Sequence, residues 1–434
     1  MSPTLPIADV RSFWQATAVN RPQAPELRGA KQYDVAIIGG GFTGLSTARY
    51  LAKRGLSCAI LEANAIGWGC SGRNGGVVSA KYRITYPEIA RIHGLEAARR
   101  MHALGRETVE HLNELVEDYG IEAADYRQGG WLLCAHTHSY MRKIEKEIEW
   151  MRVNLGDTTN RLVSAEEVHA ETSSRDFVGG MLTSFGGTLH PLNLVFGMAN
   201  GVMRDGVSIY QNSPVLKTHQ SGGRVILETP NGTINAGQMV IGTDGYNELT
   251  PATGGVRKAI VPFRSAMIVS EPLEQSVADS LFTEGRSYAE TRRMMRWFRK
   301  VDNRLMYGGR GAFGKEDSES AFEALRRAMF RQFPQLEGKR ITHRWSGLVA
   351  LTLDSIPHLG RLDDKTVYAM GYNGTGVAMS SAIGKYVAAV VAGEKPDLGL
   401  ITATPLKQVP MYGVREPAVR MVAGWYQFLD AIGR

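Results

Sequence analysis

The residue types that most often carry catalysis are not grouped in this chain. Its three cysteines (Cys58, Cys70, Cys134) and ten histidines show neither paired nor metal-ligand spacing, so no metal site is expected. What is grouped is glycine. Gly39-Gly40-Gly41-Phe42-Thr43-Gly44 reads G-x-G-x-x-G, and Glu62 follows 23 positions after Gly39. Gly39 permits a tight turn, Gly41 lets backbone approach a pyrophosphate, and Gly44 lets a helix lie close to a strand. A carboxylate at Glu62 can accept hydrogen bonds from ribose hydroxyls. The chemistry implied is that of a bound dinucleotide. An unliganded strand–helix turn is the plainer alternative.

The flanking elements decide between these readings. Tyr33–Ile38 is an apolar run of the kind found in buried parallel strands. A helical pattern follows through Leu45, Ala48 and Leu51 and closes at Gly55; a second apolar run, Cys58–Leu61, ends at Glu62. This is a βαβ unit with free N–H groups and a positive dipole end at its helix start. Residues 67–76 form a second glycine-rich loop. The spacing then predicts helices over 86–119 (broken near Gly94), 137–155 and from His190-Pro191 to about Arg204. Strands are predicted at Ala124–Ala135 and Val207–Tyr210, with a meander over 213–240. Ser164 and Glu167 predict a capping box.

The middle of the chain changes character, with strands predicted at Val261–Glu271, Tyr288–Lys300 and Arg304–Arg310, then a helix over Ser320–Phe333. Thr366–Met370 is a strand, Gly371–Gly376 a loop, and Val377–Val391 a helix of small and apolar residues. A terminal helix, Ala418–Ile432, carries the stripe Val422, Trp425, Phe428, Leu429, Ile432; packing on the body and membrane-surface contact are its two readings.

With 434 residues, roughly two domains are expected, and 43% hydrophobic with 21% charged residues is an ordinary globular mix. No apolar run reaches the ~18–20 residues needed to span a bilayer. No signal peptide is evident, so the expected location is cytoplasmic. Net charge is +7, and the densest basic run is Arg292–Lys300. It reads as an acidic-ligand surface or as the solvated face of a strand. No nucleic-acid module accompanies it, so nucleic acid is not an expected partner.

The strand–glycine loop–helix pattern returns at 366–391, after a mainly β insert. A nicotinamide enzyme completes its nucleotide fold within the first ~150–180 residues, so the layout favours FAD over NAD. The expected fold is α/β: a discontinuous Rossmann-like FAD-binding domain (31–90, 160–250, 340–395) with an inserted, mainly antiparallel β-sheet substrate or cap domain (91–159, 251–339). An arm (1–30) and a C-terminal extension (396–434) flank them. The helix start at Gly371–Gly376 is placed to stabilise negative charge on reduced flavin.

These motifs resemble those of the D-amino-acid-oxidase (DAO) superfamily of FAD-dependent oxidoreductases. The resemblance rests on the βαβ fingerprint; on Ser71-Gly72-Arg73-Asn74-Gly75-Gly76; on Arg344-Trp345-Ser346-Gly347 with Thr352, Asp354, Pro357 and Gly360; and on Gly371-Tyr372-Asn373-Gly374-Thr375-Gly376-Val377. It implies FAD contacts at Gly39, Gly41, Phe42, Thr43, Gly44 and Glu62. It adds Ala63, Gly69, Ser71, Gly72, Arg73 and Asn74, then Gly75, Gly76, Val215, Thr243, Asp244 and Gly245. The last segment, Tyr372, Asn373, Gly374, Thr375, Gly376 and Val377, completes the set. Phe13-Trp14, Gly67-Trp68-Gly69, Leu189-His190-Pro191-Leu192 and Tyr307-Gly308-Gly309-Arg310 are most similar to the γ-glutamylputrescine oxidase group.

The chain departs from the monomeric sarcosine oxidases of that superfamily. Gly347 stands near their flavin-linking cysteine, Ala378 near a carboxylate-binding lysine, and Met306 near an oxygen-promoting lysine. The expected cofactor is therefore noncovalent FAD, sarcosine is disfavoured, and efficient oxygen use is in question. The resemblance implies oxidation of a small-molecule amine, favouring a γ-glutamylated one, by hydride transfer to flavin N5, imine hydrolysis to an aldehyde, and reduction of O2 to hydrogen peroxide. The flavin carries this chemistry, so no catalytic acid–base pair is assigned. Substrate-side candidates are Trp297 (chosen over Phe298 for the inward face), Tyr372, His190 (facing the flavin or capping a turn), Arg310 and Arg264 (binding a carboxylate or lying on the surface). Rival readings are a dehydrogenase feeding a quinone or carrier, a glycine or D-amino-acid oxidase, and a flavin-binding protein without turnover. The oligomeric state is not legible.

Overall fold

A computed structural model describes residues 12–312 and 319–431, without the side chains of 248, 249, 310–312, 423, 427, 428, 430 and 431. Two eight-stranded sheets organise them. In the nucleotide sheet, Gly29–Ile38 is central. Cys58–Leu61 and Ser208–Tyr210 add in parallel on one side, and Gly232–Ile241 and Thr366–Met370 on the other. His358–Arg361 closes one edge antiparallel, and the hairpin Lys217–Ser221/Arg224–Glu228 extends Gly232–Ile241. The parallel strands are apolar because both their faces are covered: Val35–Ile38 and Cys58–Leu61 are buried throughout. Register aligns Ile38 with Leu61 and with Ile241, so the loops leaving these strands open at one edge.

Two helices, Phe42–Lys53 and Gly376–Val391, lie side by side on this sheet. Their contact is close because Gly384 has no side chain; a Cβ there would sit 2.2 Å from the Thr47 nitrogen. The long helix Leu95–Tyr119 packs on Gly376–Val391, and its preceding turn does break at Gly94.

The cap sheet runs in the order Ile341–Leu351, Val261–Ser270, Arg304–Ala312, Arg296–Val301, Ser287–Glu290, Trp131–Ala135, Gly179–Thr183, Asn160–Ser164. Every neighbouring pair is antiparallel except Ser287–Glu290 with Trp131–Ala135. This corrects the expected domain boundaries. Asn160–Ser164, Gly179–Thr183 and Ile341–Leu351 belong to the cap sheet, not the nucleotide domain, and Leu95–Tyr119 packs on the nucleotide side. A strand's own residues do not name the sheet it joins; that is set by the ladder it forms with other segments.

Tyr288–Lys300, expected as one strand, is a hairpin: Ser287–Glu290 pairs with Arg296–Val301, with Ala289 opposite Trp297. Its basic run is not a solvated face. Arg292 pairs with Glu290 at 2.5 Å and Asp176 at 3.0 Å, and Arg299 is buried, donating to the carbonyls of Gly76 and Leu189 at 3.0 and 3.1 Å. The capping box forms in full, Ser164 and Glu167 bonding each other's backbone N–H. The terminal helix Arg415–Ala431 leaves Met421, Val422 and Trp425 exposed, against the expectation that its stripe packs on the body; Phe428 (side chain) and Ile432 lie outside the described residues.

Candidate active site

Between the two sheets lies a cavity of about 760 Å³. Its nucleotide end is built largely from backbone. Gly39 has φ +112°, and a Cβ on Gly44 would lie 2.0 Å from the Gly39 oxygen, so helix and turn touch only because both are glycine. Glu62 reaches into this turn: its Oε2 accepts from the Gly40 N–H at 2.7 Å and its Oε1 from Asn64 N–H at 2.9 Å. Burial raises the Glu62 carboxyl above its ordinary range, opposed by those backbone donors and Ala63. Each oxygen keeps a further lone pair, and the side chain lines the cavity beside Ala63, Val215, Thr243 and Asp244.

The second glycine-rich loop closes over the first. Ser71 Oγ accepts from Phe42 N–H at 3.0 Å, capping the helix that opens at Phe42. Two indoles hold the loop's carbonyls, Trp14 Nε1 donating to Asn74 O and Trp345 Nε1 to Arg73 O, both at 2.9 Å. Asn74 braces the turn, donating to the carbonyls of Cys70 and Ser71 and accepting from Gly76 N–H. Arg73 lies over the Trp68 ring at 4.6 Å and donates to Trp68 O at 2.6 Å and Ser346 O at 3.2 Å. Its Nη2 is buried with no hydrogen-bond partner among the described residues. Cys70 lines the cavity, but burial and the nearby Asp244 push its thiol up to about 12, so it stays neutral.

The third contributor is the loop before Gly376–Val391. Tyr372 is buried, its hydroxyl 2.7 Å from Thr43 Oγ1, which ties this loop to the fingerprint. Asn373, at φ +55°, accepts from Thr352 N–H at 2.9 Å. Asp244 accepts from Gly371 N–H at 2.7 Å; burial raises its carboxyl to about 6, opposed by N–H groups of Gly371, Gly245 and Tyr372. Among the described residues, no side chain caps the N-terminus of the Gly376 helix.

The structure therefore brings most of the expected cofactor residues to one cavity. Gly39, Gly41, Phe42, Thr43, Gly69 and Gly75 line it, as do Gly374, Thr375, Gly376 and Val377. Gly44, Gly72, Gly76 and Gly245 do not. Each lies against backbone, and an added Cβ would come within 2.0–3.1 Å of a carbonyl oxygen. They shape the site without facing it.

The cap sheet supplies the opposite wall. By alternation, Phe263, Ser265 and Met267 face the cavity, as does Trp297, whose ring lies 3.5 Å from where a Gly75 Cβ would be. Phe298 faces away, stacked between Tyr288 and Tyr307 at 5.7 and 5.8 Å. Two substrate-side candidates do not reach the cavity. Arg264 lies on the reverse face of its strand, 2% exposed, with Nη1 donating to Ser346 Oγ at 2.7 Å. His190 caps its helix: Nδ1 accepts from Asn193 N–H at 3.1 Å, Nε2 meets Thr17 Oγ1 at 3.0 Å, and the ring lies on Trp14 at 4.6 Å. Burial and the nearby Arg299 lower it to about 4, so it is neutral. The side chain of Arg310 lies outside the described residues. Met306 is buried in the core at the position compared with a lysine.

Sequence reasoning missed the far end of the cavity, where Lys81, Arg83, Trp131 and Glu147 lie. One signal was present: Ile144, Glu147 and Met151 share a helical face, and the two apolar residues are buried.

The residues present fit FAD. The orphan Arg73 Nη2, the Gly376 helix start, the glycine turn at the Phe42 helix start and the spare lone pairs of Glu62 together suit one elongated ligand with a pyrophosphate between two polar ends. The family model described as "FAD dependent oxidoreductase" (DAO) matches residues 34–390. The chain is 31% identical over 427 residues to "Probable oxidoreductase OrdL" of Haemophilus influenzae, covering 97% of each. It is 30% identical over 428 residues to "Gamma-glutamylputrescine oxidoreductase" of Escherichia coli, covering 97% of this chain and 98% of that protein. Glycine oxidase from Geobacillus kaustophilus superposes with a TM-score of 0.73 at 20% identity, covering 87% of this chain and 99% of that one, which shows the shared fold. The chain belongs to the DAO family of FAD-dependent oxidoreductases.

Proposed function

We propose that the enzyme oxidises a primary or secondary amine whose reacting carbon carries no carboxylate, and that the amine is γ-glutamylated. One observation carries this reading. Trp297 and Met267 face Gly75, and Phe263 and Ser265 line the same cavity, none of them cationic; Arg264 is committed to Ser346 behind this wall, and Arg292, which reaches the cavity from the hairpin beside Trp297, is paired with Glu290 and Asp176. An α-amino acid would bring its carboxylate to this wall and leave it unpaired in an apolar setting. A terminal amine suits it. The relative named for γ-glutamylputrescine is consistent with a long substrate.

FAD, held noncovalently, supplies the two-electron acceptor for the C–H bond next to nitrogen. The protein's own part is positional. Trp297, Phe263 and Met267 desolvate the amine, which favours its neutral, oxidisable form. Arg73 Nη2 and the Gly376 helix start would offer N–H donors to negative charge on a bound, reduced flavin. Thr43 and Tyr372 lock the two glycine loops in register. The substrate loses two electrons and two protons to become an imine, and water converts this to an aldehyde with release of ammonia or a smaller amine. We propose dioxygen as the final acceptor, yielding hydrogen peroxide.

The test is anaerobic titration of the yellow protein with γ-glutamylputrescine, glycine, sarcosine and a D-amino acid, followed by admission of air. Bleaching of the flavin band by the γ-glutamyl amine alone is the expected result. Bleaching by glycine or a D-amino acid instead would overturn the substrate reading. Reoxidation without peroxide would overturn the acceptor.

A further inference from the structure

The cavity continues past Trp297 to an end that the oxidation itself does not use. Trp131 and Leu133, from one face of their strand, and Met181 from the next strand form an apolar passage. Beyond it stand charges of both signs. Lys81 Nζ lies 4.0 Å from the Trp131 ring centroid. Glu147 projects from the helix His138–Leu155 between two buried neighbours, Ile144 and Met151. Arg83 stands exposed at the rim, near Tyr426 of the terminal helix.

Neither Glu147 nor Arg83 has a hydrogen-bond or ion-pair partner among the described residues. Burial raises the Glu147 carboxyl, only partly offset by Lys81. A partly buried carboxylate without a partner, Glu147, is unfavourable unless a ligand brings a cation to it, and Arg83 at the rim offers a hydrated cation to an anionic group on the same ligand. A ligand that brings both at once is a zwitterion.

We infer that Glu147 and Arg83 form a distal subsite for the α-amino-acid end of the substrate, Glu147 accepting from its ammonium and Arg83 pairing with its carboxylate. Lys81, seated on Trp131, adds positive field beside that carboxylate. The neutral amide spacer of a γ-glutamyl amine spans the Trp131–Met181 passage, while the amine end meets Trp297. This rests on the amine-oxidase reading above and deepens it: specificity is set at the end remote from the reacting carbon.

The experiment compares two substrates on the FAD-loaded enzyme: γ-glutamylputrescine, and N-acetylputrescine, which keeps amide and amine but lacks the zwitterion. Glu147→Gln and Arg83→Gln are each expected to raise KM for γ-glutamylputrescine about tenfold or more. Their kcat should stay within about twofold and their KM for N-acetylputrescine should not move. Glu147→Asp should recover part of the loss. Equal losses on both substrates would mean a structural role and overturn the subsite. Unchanged KM on both, with wild type active on γ-glutamylputrescine, would overturn the subsite and leave the proposed function standing. A wild-type flavin that γ-glutamylputrescine does not reduce would overturn both.

Discussion

The two ends of the cavity are made of different material. The nucleotide end is backbone: N–H groups at two helix starts, glycines that bring strands and loops into contact, and a carboxylate, Glu62, holding Gly40 in place. The cap end is side chain: Trp297, Phe263 and Met267 on a sheet, then Trp131, Lys81 and Glu147. Backbone geometry tolerates little substitution, because an added Cβ meets another backbone atom that cannot turn aside. A side-chain wall tolerates more, and can change what it accepts without disturbing the fold. The difference lets one family hold one cofactor and vary its substrates.

The largest expected effect tests the backbone end. Gly44→Val places a Cβ 2.0 Å from the Gly39 oxygen, which forces helix and turn apart. Overpacking of this kind costs about 3 kcal/mol or more. The purified variant should carry no flavin by absorbance and should unfold at lower urea concentration than wild type. Retention of stoichiometric FAD would break the contrast, since the backbone end would then be as yielding as the wall.

Trp297→Ala should do the reverse. The indole is a wall residue, so FAD content should hold while kcat/KM for the amine falls about 10–100-fold, a loss of about 1.4–2.7 kcal/mol of transition-state binding. Flavin loss in this variant would show that the wall also supports the cofactor. Arg264→Met sharpens the comparison from behind the same sheet. Its lost bond to Ser346 should cost about 1–3 kcal/mol of stability in urea unfolding, with KM changed less than about threefold. A large KM increase would return Arg264 to the substrate site.

How much of this was legible follows the same division. The βαβ unit, the loop 67–76 and the loop 371–376 are local: each states its fold in a few adjacent residues, and all three meet at the cavity. The choice of Trp297 over Phe298 rested on strand alternation, and the structure places Trp297 at the cavity and Phe298 in the aromatic stack behind it. The domain boundaries were not legible, because Ile341–Leu351 pairs with Val261–Ser270, and Gly179–Thr183 with Trp131–Ala135, across several intervening elements. Nor was the turn at Thr291–Met295. It depends on Glu290 being buried against Arg292 and Gln332, a contact no local pattern announces. Arg264 was read as binding a carboxylate or lying on the surface and does neither: it is buried behind the wall on Ser346, because alternation along its strand turns it away from the cavity and the neighbouring strand covers it.

His190 gives the smallest effect and isolates a residue read as facing the flavin or capping a turn, which the structure uses as a cap. Its folded pKa, about 4, lies below the ordinary histidine value of about 6.5. The unfolded chain therefore binds the extra proton first on acidification. The stability this contributes is present in full above about pH 6.5 and is lost as pH falls through the window down to about 4. The ring is only half-buried, so the loss between pH 7 and 4.5 should be on the order of 1–2 kcal/mol. His190→Asn keeps an N-cap acceptor for Asn193 N–H but has nothing to titrate. Its urea-unfolding free energy should lose that much less than wild type over the same range, while kcat/KM at pH 8 stays within about twofold. If the variant instead removed a pH dependence from kcat/KM, the ring would belong to the chemistry, and the cap geometry drawn by Nδ1 and Thr17 would have to open when substrate binds.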